Sequence, residues 1–197
     1  MDKPSVIWSG GEYRTKCVVG LERDGVINEV VDYVARAEDF KPIPGSIDAI
    51  AEMRRKGYKI SIITDQRGIE QGHYKQEDVD LVHDEMFKHL GGVGVAEIDG
   101  LYYSAGVQKQ DPFVKPNLGM FRRCEKERGD IQFKGGYYVG HTIRDLKAAI
   151  AIGAKPVLVR TGQGAKTEQD LSRYAYRDIK PKVLVFDNLA AFVESLN

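Results

Sequence analysis

Six residues in this chain are of types that do chemistry on an anionic substrate. Glu22 and Asp24 stand two apart in ERDGVIN, directly after the apolar run CVVGL. In an extended segment that spacing puts both carboxylates on one side of the chain. Thr64 ends YKISIIT and is followed by Asp65, Gln66 and Arg67. Lys115 opens KPNLGM ahead of a helical pattern, and His141 and Asp145 follow GYYVG. A phosphoryl-transfer site needs a nucleophile, hydroxyl and cationic groups for the equatorial oxygens, carboxylates for a divalent ion and an acid for the leaving oxygen. These segments offer nearly all of them.

The elements that must position them are legible as short apolar runs alternating with longer amphipathic stretches, the pattern of an α/β fold with a mainly parallel sheet covered by helices on both faces. Six strands are expected at 17–22, 58–64, 98–104, 136–140, 156–160 and 182–186. Helices are expected from Pro44-Gly45 to the stop at Gly57, and at 76–90, 118–128, 143–152, 168–174 and 189–196. In such sheets the ligand site lies beyond the carboxyl ends of the strands, where the polar residues above fall. The tyrosine pairs Tyr102-Tyr103 and Tyr137-Tyr138 read as core packing with one exposed partner each.

With 197 residues the chain suits one sizeable core and is short for two domains: a single domain over 16–197 behind an N-terminal tail of residues 1–15. A formal net charge of +0 argues against a surface built for nucleic acid or anionic membrane, so any bound anion should be small and specifically held. Cys17 and Cys124 lack metal-site spacing and read as reduced, buried thiols, which favours a cytoplasmic setting. No signal-peptide or membrane-spanning pattern is evident.

The phrases ERDGVIN, YVARAEDFKPIPGSIDAI, ITDQRGIEQGHY, KPNLGMF, GHTIRDLKAA and VLVRTGQGA, in that order, resemble the haloacid-dehalogenase (HAD) superfamily, and within it the histidinol-phosphatase and heptose-bisphosphate phosphatase family. The resemblance spans roughly residues 17 to 195. It implies a HAD-like Rossmannoid three-layer sandwich without a large cap domain. It also implies that Glu22 stands at the nucleophile position and Asp24 at that of the acid that protonates the leaving group. Thr64 and Lys115 match the phosphoryl-binding hydroxyl and lysine, with Gln66 as a further substrate contact; the family's Asn-Gln-Ser is here Asp65-Gln66-Arg67, and Arg67 is a departure that adds a candidate substrate contact. Glu22, Asp24, Asp145 and His141 are then the metal positions.

Two of those positions depart from the family. The nucleophile is an aspartate there, and Glu22 adds one methylene, on the order of 1 Å, a displacement that can cost about 100-fold. The fourth motif has a carboxylate where this chain has His141, and an imidazole is a poor ligand for magnesium. His141 is open to two readings, a metal ligand or a filler of the vacated space, and Asp145 to two, a metal ligand or a first-turn helix acid. Asp65 and Arg67 form either a local ion pair or, respectively, a substitute metal ligand and a phosphate grip. The stretch 103–112 lacks the cysteine-rich zinc loop of many heptose enzymes, so no structural zinc is expected. Val114 replaces the arginine that relatives use on the distal part of the sugar phosphate, which puts heptose bisphosphate itself in doubt.

The expected function is therefore a pseudophosphatase that binds a phosphorylated small molecule, such as a sugar phosphate, or a protein partner. The alternative is an active phosphomonoesterase using magnesium at a weakened site, or manganese, iron or zinc, which accept mixed nitrogen and oxygen ligands.

Overall fold

The computed structural model describes residues 17–31 and 33–197. The expected tail at 1–15 lies outside the described residues. Twelve strands and helices alternate: β1 (Val18–Leu21), α1 (Ser46–Arg55), β2 (Lys59–Asp65), α2 (Gln76–Gly92), β3 (Gly100–Ser104), α3 (Gly119–Arg128), β4 (Tyr137–Gly140), α4 (Ile143–Ile152), β5 (Lys155–Val159), α5 (Gly164–Asp170), β6 (Leu184–Phe186) and α6 (Leu189–Glu194). The six strands form one sheet in the order β3-β2-β1-β4-β5-β6. Every pairing is parallel. The chain builds outward from β1 through β2 to β3, then crosses to β4 on the other side. That reversal opens a crevice between the ends of β1 and β4.

Successive strand residues point to opposite faces, and both faces are buried. Val19, Leu21, Ile60 and Ile62 pack with Ile50 and Met53 of α1, Val82 and Met86 of α2 and Phe192 of α6. On the other face Val18, Ile63 and Tyr138 meet Phe121 and Cys124 of α3 and Ala148 and Ala149 of α4. Gly20 in β1 permits this second packing, because a Cβ there would lie 2.7 Å from the Tyr138 ring. The aromatic side chain can thus cross β1 and carry its hydroxyl to the crevice.

The α/β architecture agrees with expectation, with local corrections. α5 runs over Gly164–Asp170 rather than 168–174. The Thr161 carbonyl closes a turn on Gly164 N at 2.9 Å, so the helix starts early, and Leu171 leaves it to pack with Leu146 and Leu158. β6 begins at Leu184 because Lys180–Lys182 form a 3-10 turn. Cys17 is exposed, contrary to expectation, whereas Cys124 is buried. Tyr138 is fully buried while Tyr137, Tyr102 and Tyr103 are half-buried, so neither pair has an exposed member. Among the described residues no helix is long and apolar enough to cross a membrane.

Candidate functional site

Glu22 leaves β1 with its backbone N–H still donating to Val139 O at 2.9 Å, which aims the side chain into the crevice. One carboxylate oxygen accepts from the Thr64 hydroxyl and from Arg23 N at 3.1 Å; the other accepts from Lys115 Nζ. Lys115 also donates to Asp145 Oδ1 at 2.7 Å and to the Tyr138 hydroxyl at 2.9 Å. The Tyr138 hydroxyl in turn donates a hydrogen bond to Ile63 O at 2.6 Å. An ammonium has three N–H groups, and Glu22, Asp145 and Tyr138 take all three. Lys115, Glu22 and Asp145 are 2%, 5% and 2% exposed, so the cation is not solvated and each charge depends on the others for compensation. Burial works to raise the Asp145 pKa, but Lys115, with His141 and Thr142 adding, holds it well below the usual carboxylate range. Burial lowers that of Lys115, and Asp145 opposes this.

Asp24 belongs to a second network. Arg23, fully buried, grips it with Nε at 2.9 Å and Nη2 at 3.1 Å, and the same Nη2 reaches Gln66 Oε1 at 3.1 Å. Asn28 and Gln66 also donate to Asp24, at 2.9 and 3.1 Å, and Tyr74 donates to Gln66 at 3.0 Å. Burial would raise the Asp24 pKa, yet Arg23, Asn28 and Gln66 together carry it below its ordinary value. A carboxyl so held is a poor proton donor at rest.

His141 follows β4 and lies between two turns. A Cβ on Gly25 or Gly162 would fall 2.7 or 2.6 Å from its Nδ1, so only glycine fits on either side of the ring. Gln163 N donates to Nδ1 at 2.9 Å, which assigns the proton of the neutral imidazole to Nε2. Burial keeps its pKa below the usual histidine value. The neighbouring bonds Thr161 Oγ1 to Gly25 O, at 2.6 Å, and Thr167 Oγ1 to His141 O, at 2.8 Å, tie the β5–α5 segment to the β1 turn through this residue. Asp145 caps α4: Oδ2 accepts from His141 N at 3.2 Å, Thr142 N at 3.0 Å and Thr142 Oγ1 at 2.7 Å.

The expected metal positions are not assembled as a donor set. Glu22 and Asp145 face Lys115, Asp24 faces Arg23, and one nitrogen of His141 is taken by backbone. Among the described residues no group of three or more His, Cys, Asp or Glu is arranged to hold a metal ion. An octahedral magnesium site calls for oxygen donors at all positions, and the imidazole at 141 does not fit it.

A cavity of 580 Å³ opens onto the cluster, lined by Glu22, Asp24, His141 and Asp145 from the crevice. Of the four expected substrate contacts only Arg67 lines it. Thr64 and Lys115, 0% and 2% exposed, lie behind the Glu22 carboxylate, and Gln66 is consumed by Arg23, Asp24 and Tyr74. The local Asp65–Arg67 ion pair does not form. Asp65 faces Arg144 at 3.5 Å instead and accepts from Lys115 N at 3.3 Å. Burial, with Asp145 adding to it against the pull of Arg144, pushes the Asp65 pKa up to about 7.

Several contributors were not singled out from sequence. Arg23 sits inside the first motif but reads as a surface charge there. Tyr138 reads as core, since alternation does not reveal that its hydroxyl reaches Lys115. Arg144 and Lys166 line the cavity from α4 and α5 and carry no local signal.

Comparison with known proteins agrees with the fold. A family model described as HAD-hydrolase-like matches residues 113–192. The D-glycero-beta-D-manno-heptose-1,7-bisphosphate 7-phosphatase of Pseudomonas putida is 35% identical, over 89% of this chain and 97% of the relative. That of Pseudomonas aeruginosa is 34% identical, over 89% and 95%. The D,D-heptose 1,7-bisphosphate phosphatase of Bordetella bronchiseptica, solved in complex with magnesium and phosphate, aligns with a TM-score of 0.81 at 29% identity, over 91% of this chain and 97% of that one. The parallel sheet, the ordered motif residues at its carboxyl edge and these relatives lead to one assignment: the chain belongs to the heptose-bisphosphate phosphatase family of the haloacid-dehalogenase superfamily.

Proposed function

We propose that this chain is a cytoplasmic pseudophosphatase that binds a phosphorylated small molecule of the sugar-phosphate type and turns it over poorly. The observation that carries the reading is the closed state of the phosphoryl-transfer position. Glu22 covers Thr64 and Lys115, and the imidazole of His141, braced by Gln163, stands where the family has a metal carboxylate. The longer Glu22 side chain spans to Lys115 and Thr64 and satisfies both, leaving neither free for an equatorial phosphoryl oxygen. The arginine clamp on Asp24 further disfavours its protonated form.

The test is turnover of p-nitrophenyl phosphate and a panel of sugar phosphates with magnesium. Wild type is expected to stay near background. The double variant Glu22→Asp, His141→Asp is expected to gain on the order of 100-fold or more, since it restores both reach and oxygen ligation. Magnesium-dependent wild-type turnover, abolished by Asp24→Asn, would overturn the proposal.

One observation favours the second reading, an active phosphomonoesterase: Glu22, Asp24, Thr64 and Lys115 are still gathered at one crevice. There Glu22 would attack phosphorus as the phosphate ester bond breaks, a protonated Asp24 would give its proton to the leaving oxygen, and water, losing a proton back to Asp24, would then release phosphate from the glutamyl phosphate. Repeating the assay with manganese, iron and zinc separates this from loss of activity, because these ions accept the His141 nitrogen.

A further inference from the structure

We infer that Arg67, Arg144 and Lys166 form an oxyanion-binding site at the outer part of the cavity, and that the ligand's anionic group is held there rather than at the Thr64–Lys115 position. This rests on the reading above that the cavity takes a phosphorylated small molecule. All three cations line that cavity, each from a different segment: the turn after β2, the first turn of α4 and the exposed face of α5.

One of them carries a buried polar atom that no group of the protein satisfies, and a second is held by a long ion pair. Arg67 Nε is buried without a hydrogen-bond partner and Arg67 makes no ion pair among the described residues, whereas Arg144 Nη1 meets Asp65 Oδ2 at 3.5 Å without a hydrogen bond. Buried donors of a guanidinium are seldom left unpaired, since each lost hydrogen bond to a charged group is costly. Both side chains line the cavity. A planar fork with free N–H groups matches the oxygens of a phosphate or carboxylate.

The bases of both arginines are fixed before any ligand arrives. Gln71 N donates to Arg67 O at 3.2 Å and Tyr74 pins the adjacent Gln66, while the Thr142 cap holds the start of α4 around Arg144. Little ordering is left for binding to oppose.

Two carboxylates at this end do not cancel the charge. Asp170 is paired with Arg173 at 3.0 Å. Asp65 is the partner of Arg144 at 3.5 Å, but its Oδ2 accepts no hydrogen bond. In the crevice, by contrast, Glu22, Asp24 and Asp145 present carboxylates to the cavity. An anion entering the cavity therefore meets cations at Arg67, Arg144 and Lys166 and carboxylates at Glu22, Asp24 and Asp145. Val30, Val31 and Tyr33, 42%, 38% and 40% exposed, line the same space and offer an apolar wall to the ligand's body.

The test is calorimetric titration of the full chain with inorganic phosphate, glucose 6-phosphate and 3-phosphoglycerate, the last adding a carboxylate. Arg67→Gln and Arg144→Gln should each weaken the tightest probe by about tenfold to a hundredfold, the loss expected for one charge-assisted contact. Lys166→Gln should weaken it less and reduce its salt dependence. Thr64→Val should weaken it less than either arginine variant, and unfolding midpoints should show that the variants remain folded. Binding that falls with Thr64→Val but not with the arginine variants, or that depends on none of them, overturns the outer site and leaves the phosphate-binding reading standing. Wild type that binds none of the three probes overturns both.

Discussion

At the level of single residues, the site is governed by where each charge finds its partner. Arg23 would be an unremarkable surface cation in a sequence, yet fully buried it sets the protonation of Asp24 and holds Gln66. Asp65 shows the opposite case, a carboxylate whose partner is too far to hydrogen-bond. Its folded pKa of about 7 lies above the unfolded value of 3.8, so the folded state binds the extra proton and stability falls as pH rises from about 4 to 7. Asn has no such proton. Asp65→Asn should therefore gain stability relative to wild type, by roughly 2 kcal/mol, between about pH 5 and pH 8. Urea unfolding at the two pH values checks this, and an unchanged difference would rule it out. The ordinary value of an aspartate is known from its type, but the shift depends on burial against Arg144 and Asp145, residues nearly 80 positions away in the chain.

At the level of elements, α5 is the helix whose start was displaced by pattern, and the β5–α5 segment before it also lines the crevice. Its turn is built around His141, with Thr161 bonded to Gly25 O and Gln163 N to the imidazole. Gly162 has φ of 58° and no room for a Cβ, so Gly162→Ala combines backbone strain with a clash on the ring. It should cost about 2–3 kcal/mol in chemical denaturation. Thr161→Val, which removes one hydroxyl bond, should cost about 1 kcal/mol and increase amide exchange through 161–164. The helices α1, α3 and α4 were legible because each carries its own apolar face and its own glycine stop, at Gly57, Gly129 and Gly153. The start of α5 was not, because it is decided by a turn pinned to β1 and β4.

Across the whole molecule, the buried cluster joins the ends of β1, β2 and β4 to α4 through one ammonium. Lys115→Met would leave Glu22 and Asp145 buried without a cation, and stability should drop by about 3–5 kcal/mol near pH 7. The deficit should shrink in acid. In wild type the depressed Asp145 pKa contributes stability that is present above the unfolded carboxylate value and lost as pH falls below it. In the variant the same carboxylates take up protons readily, so acid relieves them. Thermal or denaturant unfolding near pH 7.5 and near pH 4.5 distinguishes this from a loss of packing alone, which would be independent of pH.

The residues alone determined the class of fold, because alternating apolar runs of strand and helix length can be buried only as a parallel sheet between helix layers. They also placed Glu22, Asp24, Thr64, His141 and Asp145 at one edge of that sheet, since each lies at or just after a strand end, and six ordered phrases, one of them opened by Lys115, tied the chain to its family. The tertiary structure decided how those groups are spent. Lys115 serves Glu22 and Asp145, and Asp24 serves Arg23. His141 braces two glycine turns, and the cations left facing the cavity are Arg67, Arg144 and Lys166. Spacing along a chain records which residues can reach a site, whereas the partner each one takes depends on side chains that only folding brings within hydrogen-bond range.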